Sequence, residues 1–384
     1  MLDIGMIIYL FYGVLHFAIT IILDFEFAQA LSQFRTLFIP ALLYFIIRFV
    51  ITYDEIFIDK FHNIIYTIFF LNLGYLLFET ALSLSGIHAV FLPWHNYAMI
   101  TLDRLGSSAY AVGDAPSMLA IGLGGFPHFT APFFAATFCL IYPSMKHNTK
   151  YSKYELVILI LTIFSFFILR VKATMLALVL VFGLQFLFGK NRDRRFLIYL
   201  SLAAFVGIFS IELLREELFT MLDQIFIGNS EEGSRIELLA KSFFGGLSFL
   251  FVEDNLFTFF FGLIDRDYAS GIGYGGGAQV FEIALFNYIV IYGLIWGTII
   301  IALSSIAGLY ALRIGFLAKN LRNRITFKDI LLSKGIFFLL IIYLSDIAHF
   351  GQAIYAPNID LIFVSLALIS LYRNKSKTLI KSAS

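Results

Sequence analysis

The sequence predicts an all-α protein, a polytopic transmembrane bundle of about ten spanning helices forming a single integral membrane domain over residues 1–384. Three observations predict it. The chain is 60% hydrophobic and only 14% charged, where soluble domains carry about 25% charged residues. Apolar runs recur at lengths close to the roughly 20 residues a helix needs to cross a bilayer. Finally, most of the 27 Lys and Arg residues fall in alternate segments between those runs, as cytoplasmic loops require.

Ten runs are expected to span: 4–22, 36–53, 62–85, 117–142, 155–169, 173–189, 196–212, 281–308, 331–349 and 359–372. Ala28-Gln29-Ala30 after the first run imitates a signal-peptide cleavage site. No Lys or Arg precedes that run, and Asp3 does, so a retained first helix is expected. The cation-rich segments 143–154, 190–195, 309–334 and 373–384 all fall on one side when both termini are cytoplasmic. Loop 54–60 falls there too and is acidic, the one segment against the trend. The outer face then holds 23–35, 86–116, the 170–172 turn, 213–280 and 350–358.

E-L-L-R-E-E-L-F from Glu212 leads into the large outer segment 213–280; its apolar residues recur at helical spacing and suit an interfacial helix. Segment 246–262 is apolar but carries Glu253 and Asp254, which cost a few kcal/mol each in lipid. It is expected to be re-entrant or surface-lying. No internal repeat is visible, against an inverted-repeat transporter. The net charge of +1 excludes a global field for nucleic acid. Cys139 is the only cysteine, so neither an internal disulfide nor a cysteine metal site is expected.

Cations on the outer side have escaped the rule that keeps them inside, which makes Arg35, Arg104, Arg170, Lys172, Arg215, Arg235, Lys241 and Arg266 informative. Arg235 follows Gly233-Ser234. Its planar fork suits a phosphate held bidentately, or it pairs with Glu231 or Glu232 in solvent. Arg170 and Lys172 flank Val171 at a tight turn, spaced either for a diphosphate or for snorkelling to lipid headgroups. Arg104 beside Asp103 is similar. Gly271, Gly273, Gly275, Gly276 and Gly277 form either a backbone cradle for an anion or a loose loop. No Lys-Ser/Thr follows them, so they are not a P-loop.

Glu282 starts an apolar helix. Partial burial would make it a usable general base, while the helix dipole alone also favours a carboxylate there. Asn287, five residues on, suits a helix–helix hydrogen bond. Asp346 and His349 share a helix face, as an acid–base pair or as a buried structural pair. His128 lies in G-G-F-P-H-F-T, where Pro127 and Pro132 are expected to break helix four. No histidine or acidic spacing suits a metal, so none is expected, and no cofactor either.

Three stretches resemble the polymerases of O-antigen and capsule, the Wzy-type family, and the related O-antigen ligases. R-L-G-S-S-A-Y-A-V-G-D-A-P-S-M-L-A from Arg104 is similar to the family's R-x-x-G…P-N-x-L-A, with Pro116-Ser117 for Pro-Asn. L-R-V-K-A-T-M-L-A-L resembles its S-R-T-A-L-L-A-L turn, with Lys172 where the family has Arg. G-S-R-I-E-L-L, the glycines and E-I-A-L-F-N-Y-I-V-I-Y-G-L-I-W-G resemble its third motif, with Glu282 where ligases tend to carry His and many polymerases Glu. Gly293 and Gly297 match its helix-packing glycines.

The resemblance implies a GT-C-type glycosyltransferase of the bacterial inner membrane with its active site on the outer face. Donor and acceptor would be oligosaccharides on undecaprenyl pyrophosphate. The growing glycan would pass to the non-reducing end of a new repeat unit, with a chain-length regulator as a further partner. Arg235, Arg170, Lys172, Arg104 and Arg266 would meet the leaving pyrophosphate. Glu282, or His349 with Asp346, would activate the acceptor hydroxyl. A ligase acting on a lipid A core is the alternative with the same chemistry, and a flippase for lipid-linked oligosaccharide the alternative of another class.

Overall fold

The computed structural model describes residues 2–22, 27–53, 57–85, 122–123, 127–145, 147–148, 150–169, 171–189, 194, 197–198, 219, 240, 244, 260–262, 284–317, 327–347 and 358–381. Among these residues the fold is all-helical, with no strand. The long helices are α1 (Leu2–Ile22), α2 (Phe27–Tyr53), α3 (Phe57–Leu84), α4 (Pro127–Met145), α5 (Glu155–Leu169), α6 (Lys172–Phe188), α7 (Ala284–Leu312), α8 (Phe327–Ile347) and α9 (Asn358–Lys381). Among the described residues four helical stretches are long and apolar enough to cross a membrane: Leu2–Ile22, Phe57–Leu82, Ser152–Leu169 and Tyr292–Phe316. Leu37–Val50, Thr130–Met145, Ala173–Phe188 and Ile359–Leu371 are shorter apolar helices.

Several helices extend beyond their apolar runs. α2 starts at Phe27, so most of the expected outer loop 23–35 is helical and Arg35 lies on it. α3 starts at Phe57 and takes in Asp59 and Lys60, expected in a loop; an acid in the first turn suits the helix dipole. α9 continues to Lys381, past the expected end at 372. Hydropathy marks the stretch that suits lipid, whereas hydrogen bonding carries the helix on into water. The fourth helix differs the other way. It begins at Pro127, not 117, and Pro132 lies inside it. Proline at a first helical position removes an amide that has no intrahelical partner, so Pro127 starts the helix instead of breaking it. Of the expected segment 196–212, only Leu197 and Ile198 are described.

Among the described helices α4 and α8 make the most extensive pair, and around them lie α3, α5, α6, α7 and α9. Lipid tails are as apolar as leucine, so close van der Waals fit drives packing between membrane helices. α4 supplies small residues for it: Ala131, Ala135, Ala136 and Thr137 are all fully buried. Gly335 of α8 completes the fit, since a Cβ there would lie 2.8 Å from the Leu140 carbonyl oxygen. Large side chains fill the remaining core. Phe69 stacks on Phe134 at 5.2 Å, and Tyr9 meets Phe363 edge-on at 5.3 Å. Apolar side chains also cover outward faces, among them Phe11, Phe49, Leu71, Leu176 and Val179, as lipid contact requires.

Antiparallel packing sorts the helix ends. At one end Asp3 meets Arg48 and Ser370, Asp59 pairs with Lys328, and Phe188 packs on Phe316. The cation-rich segments 143–154, 190–195, 309–334 and 373–384 adjoin this end. The opposite end holds the C-termini of α1, α3, α5 and α8 and the N-termini of α2, α4, α6, α7 and α9.

Candidate functional site

Among the residues singled out from sequence, Arg104, Arg170, Arg215, Arg235, Lys241, Arg266, Glu282 and His349 lie outside the described residues, as do the glycines 271–277. Lys172, Asn287, Asp346 and His128 lie on described helices, and only their backbone positions are described. Those positions share one end of the bundle. Lys172 opens α6, Asn287 is in the first turn of α7, Asp346 is in the last turn of α8, and His128 is second in α4. This end is opposite the cation-rich segments.

The middle of the bundle carries polar structure that hydropathy did not signal. α7 is broken at Gly293, whose φ of 81° and ψ of 159° are non-helical. The match to helix-packing glycines had implied a continuous helix there. Residues 260–262 lie against the break, so this end of segment 246–262 packs on the bundle. Gly262 has a φ of 67°, and a Cβ on it would sit 2.0 Å from the Gly293 nitrogen. A Cβ on Gly293 would sit 2.3 Å from the Phe260 carbonyl oxygen. The two glycines therefore cross backbone to backbone. Gly297 is different: its Cβ would meet Ile289 at 3.5 Å, an ordinary contact.

A broken helix at membrane depth frees backbone groups that lipid cannot satisfy. Here the Tyr12 hydroxyl donates to the Tyr292 carbonyl at 2.6 Å. One turn further on, the Trp296 indole donates to the Tyr9 hydroxyl at 3.1 Å. His16 is 1% exposed, with its ring 6.0 Å from Tyr12 and 6.2 Å from Tyr292. α1 thus lines the break with hydroxyls and an imidazole, one turn apart.

A second buried ionisable group sits near the end of α3. Glu79 is 1% exposed, and its Oε2 accepts the Gly122 amide at 2.8 Å. Gly122 lies two residues beyond the stretch 104–120, ahead of α4. Thr80 beside it is satisfied within the helix by the Leu76 carbonyl at 2.7 Å. Glu79 and His16 each have the chemistry to take or give a proton. Among the described residues no three His, Cys, Asp or Glu side chains gather closely enough for a metal ion.

Sequence reasoning passed over Glu79 and His16, yet the signal was present. Each is an ionisable residue inside an apolar run, the pattern that marked Glu282 and that is functional by default in a membrane helix. The Gly293 break had no such signal, because glycine in an apolar helix reads equally as a packing residue.

No protein-family model, curated protein or solved structure matches the chain.

Proposed function

We propose that the chain is a bacterial inner-membrane glycosyltransferase of the polysaccharide polymerase type, with about ten spans in a GT-C-like arrangement and both termini cytoplasmic. It transfers a growing glycan from undecaprenyl pyrophosphate to the non-reducing end of a lipid-linked repeat unit, on the outer face. The observation that carries this reading is a convergence at one end of the bundle. The helices that the three family-like stretches lead into in sequence, α4, α6 and α7, have their N-termini at the same end, away from the cation-rich segments.

That convergence suits the chemistry. The donor is already activated, so the protein needs cations for a leaving pyrophosphate and a base for the acceptor hydroxyl. Arg235, Arg170, Lys172, Arg104 and Arg266 are the cations of this proposal, with Lys241 and Asn287 as further substrate contacts. Glu282 is its base, with His349 and Asp346 as the other candidates. The buried Glu79 carboxylate holds the Gly122 amide ahead of α4. α7, which begins two residues after Glu282 in sequence, is broken at Gly293.

The test is a gel of lipid-linked glycans from cells lacking the gene, with and without a plasmid copy. Single repeat units that become a ladder on complementation are the expected result. Full-length polymer trapped on its carrier without the gene would mean a ligase. Repeat units held on the cytoplasmic side would mean a flippase and would sink the site.

A further inference from the structure

A cavity of about 380 Å³ opens at the cation-rich end of the bundle, away from the proposed active site. It lies between the first turns of α3, the end of α4 and the first turn of α8. At its mouth Lys328 Nζ meets both Asp59 oxygens, at 2.8 and 3.1 Å. These side chains are 70% and 55% exposed. His62 follows one turn along α3, and Tyr66 a turn beyond it, buried. The Tyr66 hydroxyl and Ser144 Oγ are 2.9 Å apart. The site is thus a charged mouth over a neutral, hydrogen-bonding floor.

Its depth and charge restrict what fits. Tyr154, exposed at this end, matches the Tyr and Trp belt at a membrane–water interface. His147, on the cavity wall, packs edge-on to Phe327 at 4.7 Å. The cavity therefore lies at headgroup level. A bare anion would gain Lys328 but face Asp59. A quaternary ammonium wants an open aromatic face, and the Tyr66 ring is already stacked on Tyr151 at 4.8 Å. A ligand with a phosphate at one point and a primary ammonium two carbons away matches both charges. An exposed ion pair is weakly held, so Asp59 and Lys328 part at small cost to receive it.

We propose that this cavity binds the headgroup of a phosphoethanolamine lipid, with Asp59 taking the ammonium and Lys328 the phosphate. The floor stays neutral: the Tyr66 hydroxyl and Ser144 Oγ hydrogen-bond to each other, and Ser144 Oγ donates to the Ile141 carbonyl at 2.8 Å. The site depends on no catalytic assignment.

The test uses full-length protein, delipidated in detergent and titrated with phosphatidylethanolamine, phosphatidylglycerol and phosphatidylcholine. Bound lipid is read by native mass spectrometry and by thermal shift. The expected result is ethanolamine lipid binding about tenfold more tightly than the other two, the scale of one charge-assisted contact. Asp59→Asn removes the preference for ethanolamine over glycerol, and Lys328→Met weakens both. Equal binding of the ethanolamine and glycerol lipids by the unaltered protein overturns the proposal, as does an unchanged preference in Asp59→Asn. Soluble glycerophosphoethanolamine separates the two sources of this chemistry: displacement of lipid only at large excess supports a lipid site. Binding as tight as the lipid's overturns it in favour of a free metabolite.

Discussion

The Glu79 carboxylate accepts the Gly122 amide at 2.8 Å and so ties the end of α3 to the chain entering α4. Glu79 is buried. Replacement by Ala leaves that amide facing a hole, and an unsatisfied buried donor costs about 1–3 kcal/mol. Gln keeps an acceptor oxygen at the same reach. Glu79→Ala should therefore unfold at clearly lower temperature in detergent, with Glu79→Gln close to the unaltered protein. Equal losses would mean that the charge itself, rather than the acceptor, holds the contact.

The Gly262–Gly293 crossing makes a sharper prediction. Both residues have positive φ, a conformation that costs an L-residue roughly 1–2 kcal/mol before any clash. The clash is with backbone at both sites, so no side-chain rotation relieves it. Gly262→Ala and Gly293→Ala should each give poorly folded, aggregating protein on size-exclusion chromatography. Gly297→Ala, in the same helix, should elute as the parent does. A monodisperse Gly293→Ala protein would refute the break.

These residues also show what the sequence made legible. Helix positions followed from apolar runs, because a span must hide its backbone from lipid whatever its neighbours do. Asp59 and Lys60 marked the end of the lipid-suited stretch, and the helix simply starts before them. Pro127 was misjudged because proline interrupts a helix interior but suits a first turn. The site was harder. Glu79 and Gly122 are 43 positions apart in sequence, and the Tyr12–Tyr292 bond joins opposite parts of the chain. Such pairs are set by packing, which local pattern does not encode. The ionisable character of His16 and Glu79 was readable, but their burial depended on which helix face turned inward.

Two ion pairs at the cation-rich end should behave differently. Asp3 Oδ1 accepts from Tyr44 at 2.5 Å, Ser370 at 3.1 Å and Arg48 Nε at 3.3 Å, joining α1, α2 and α9. Asp59 pairs with Lys328 in the open. Hydrogen bonds to a charged group are worth about 1.5–3 kcal/mol, and exposed pairs about 0–1 kcal/mol. Asp3→Ala should lower the unfolding temperature distinctly and lose little of that effect in high salt. Asp59→Ala should shift it slightly in lipid-free detergent. The reverse order would show that the Asp3 cluster is a solvated one.

The proposed chemistry is tested at Arg235 and Glu282. A fork that grips a pyrophosphate by two parallel hydrogen bonds is not replaced by the point charge of lysine. Arg235→Ala and Arg235→Lys should both abolish the glycan ladder while the protein accumulates normally in the membrane fraction. Full rescue by Lys would show that charge alone suffices. Glu282→Gln keeps size and hydrogen bonding but cannot take a proton, so it should lose chain extension while still retaining lipid-linked repeat units on purification. General-base removal typically costs about 10²–10⁴-fold in rate, enough to collapse a ladder to single units. Near-normal chain length in both Arg235→Ala and Glu282→Gln would move the catalytic groups elsewhere. His349→Ala and Asp346→Asn are then the next variants to assay, since Asp346 and His349, three apart in sequence, are the other acid–base candidates.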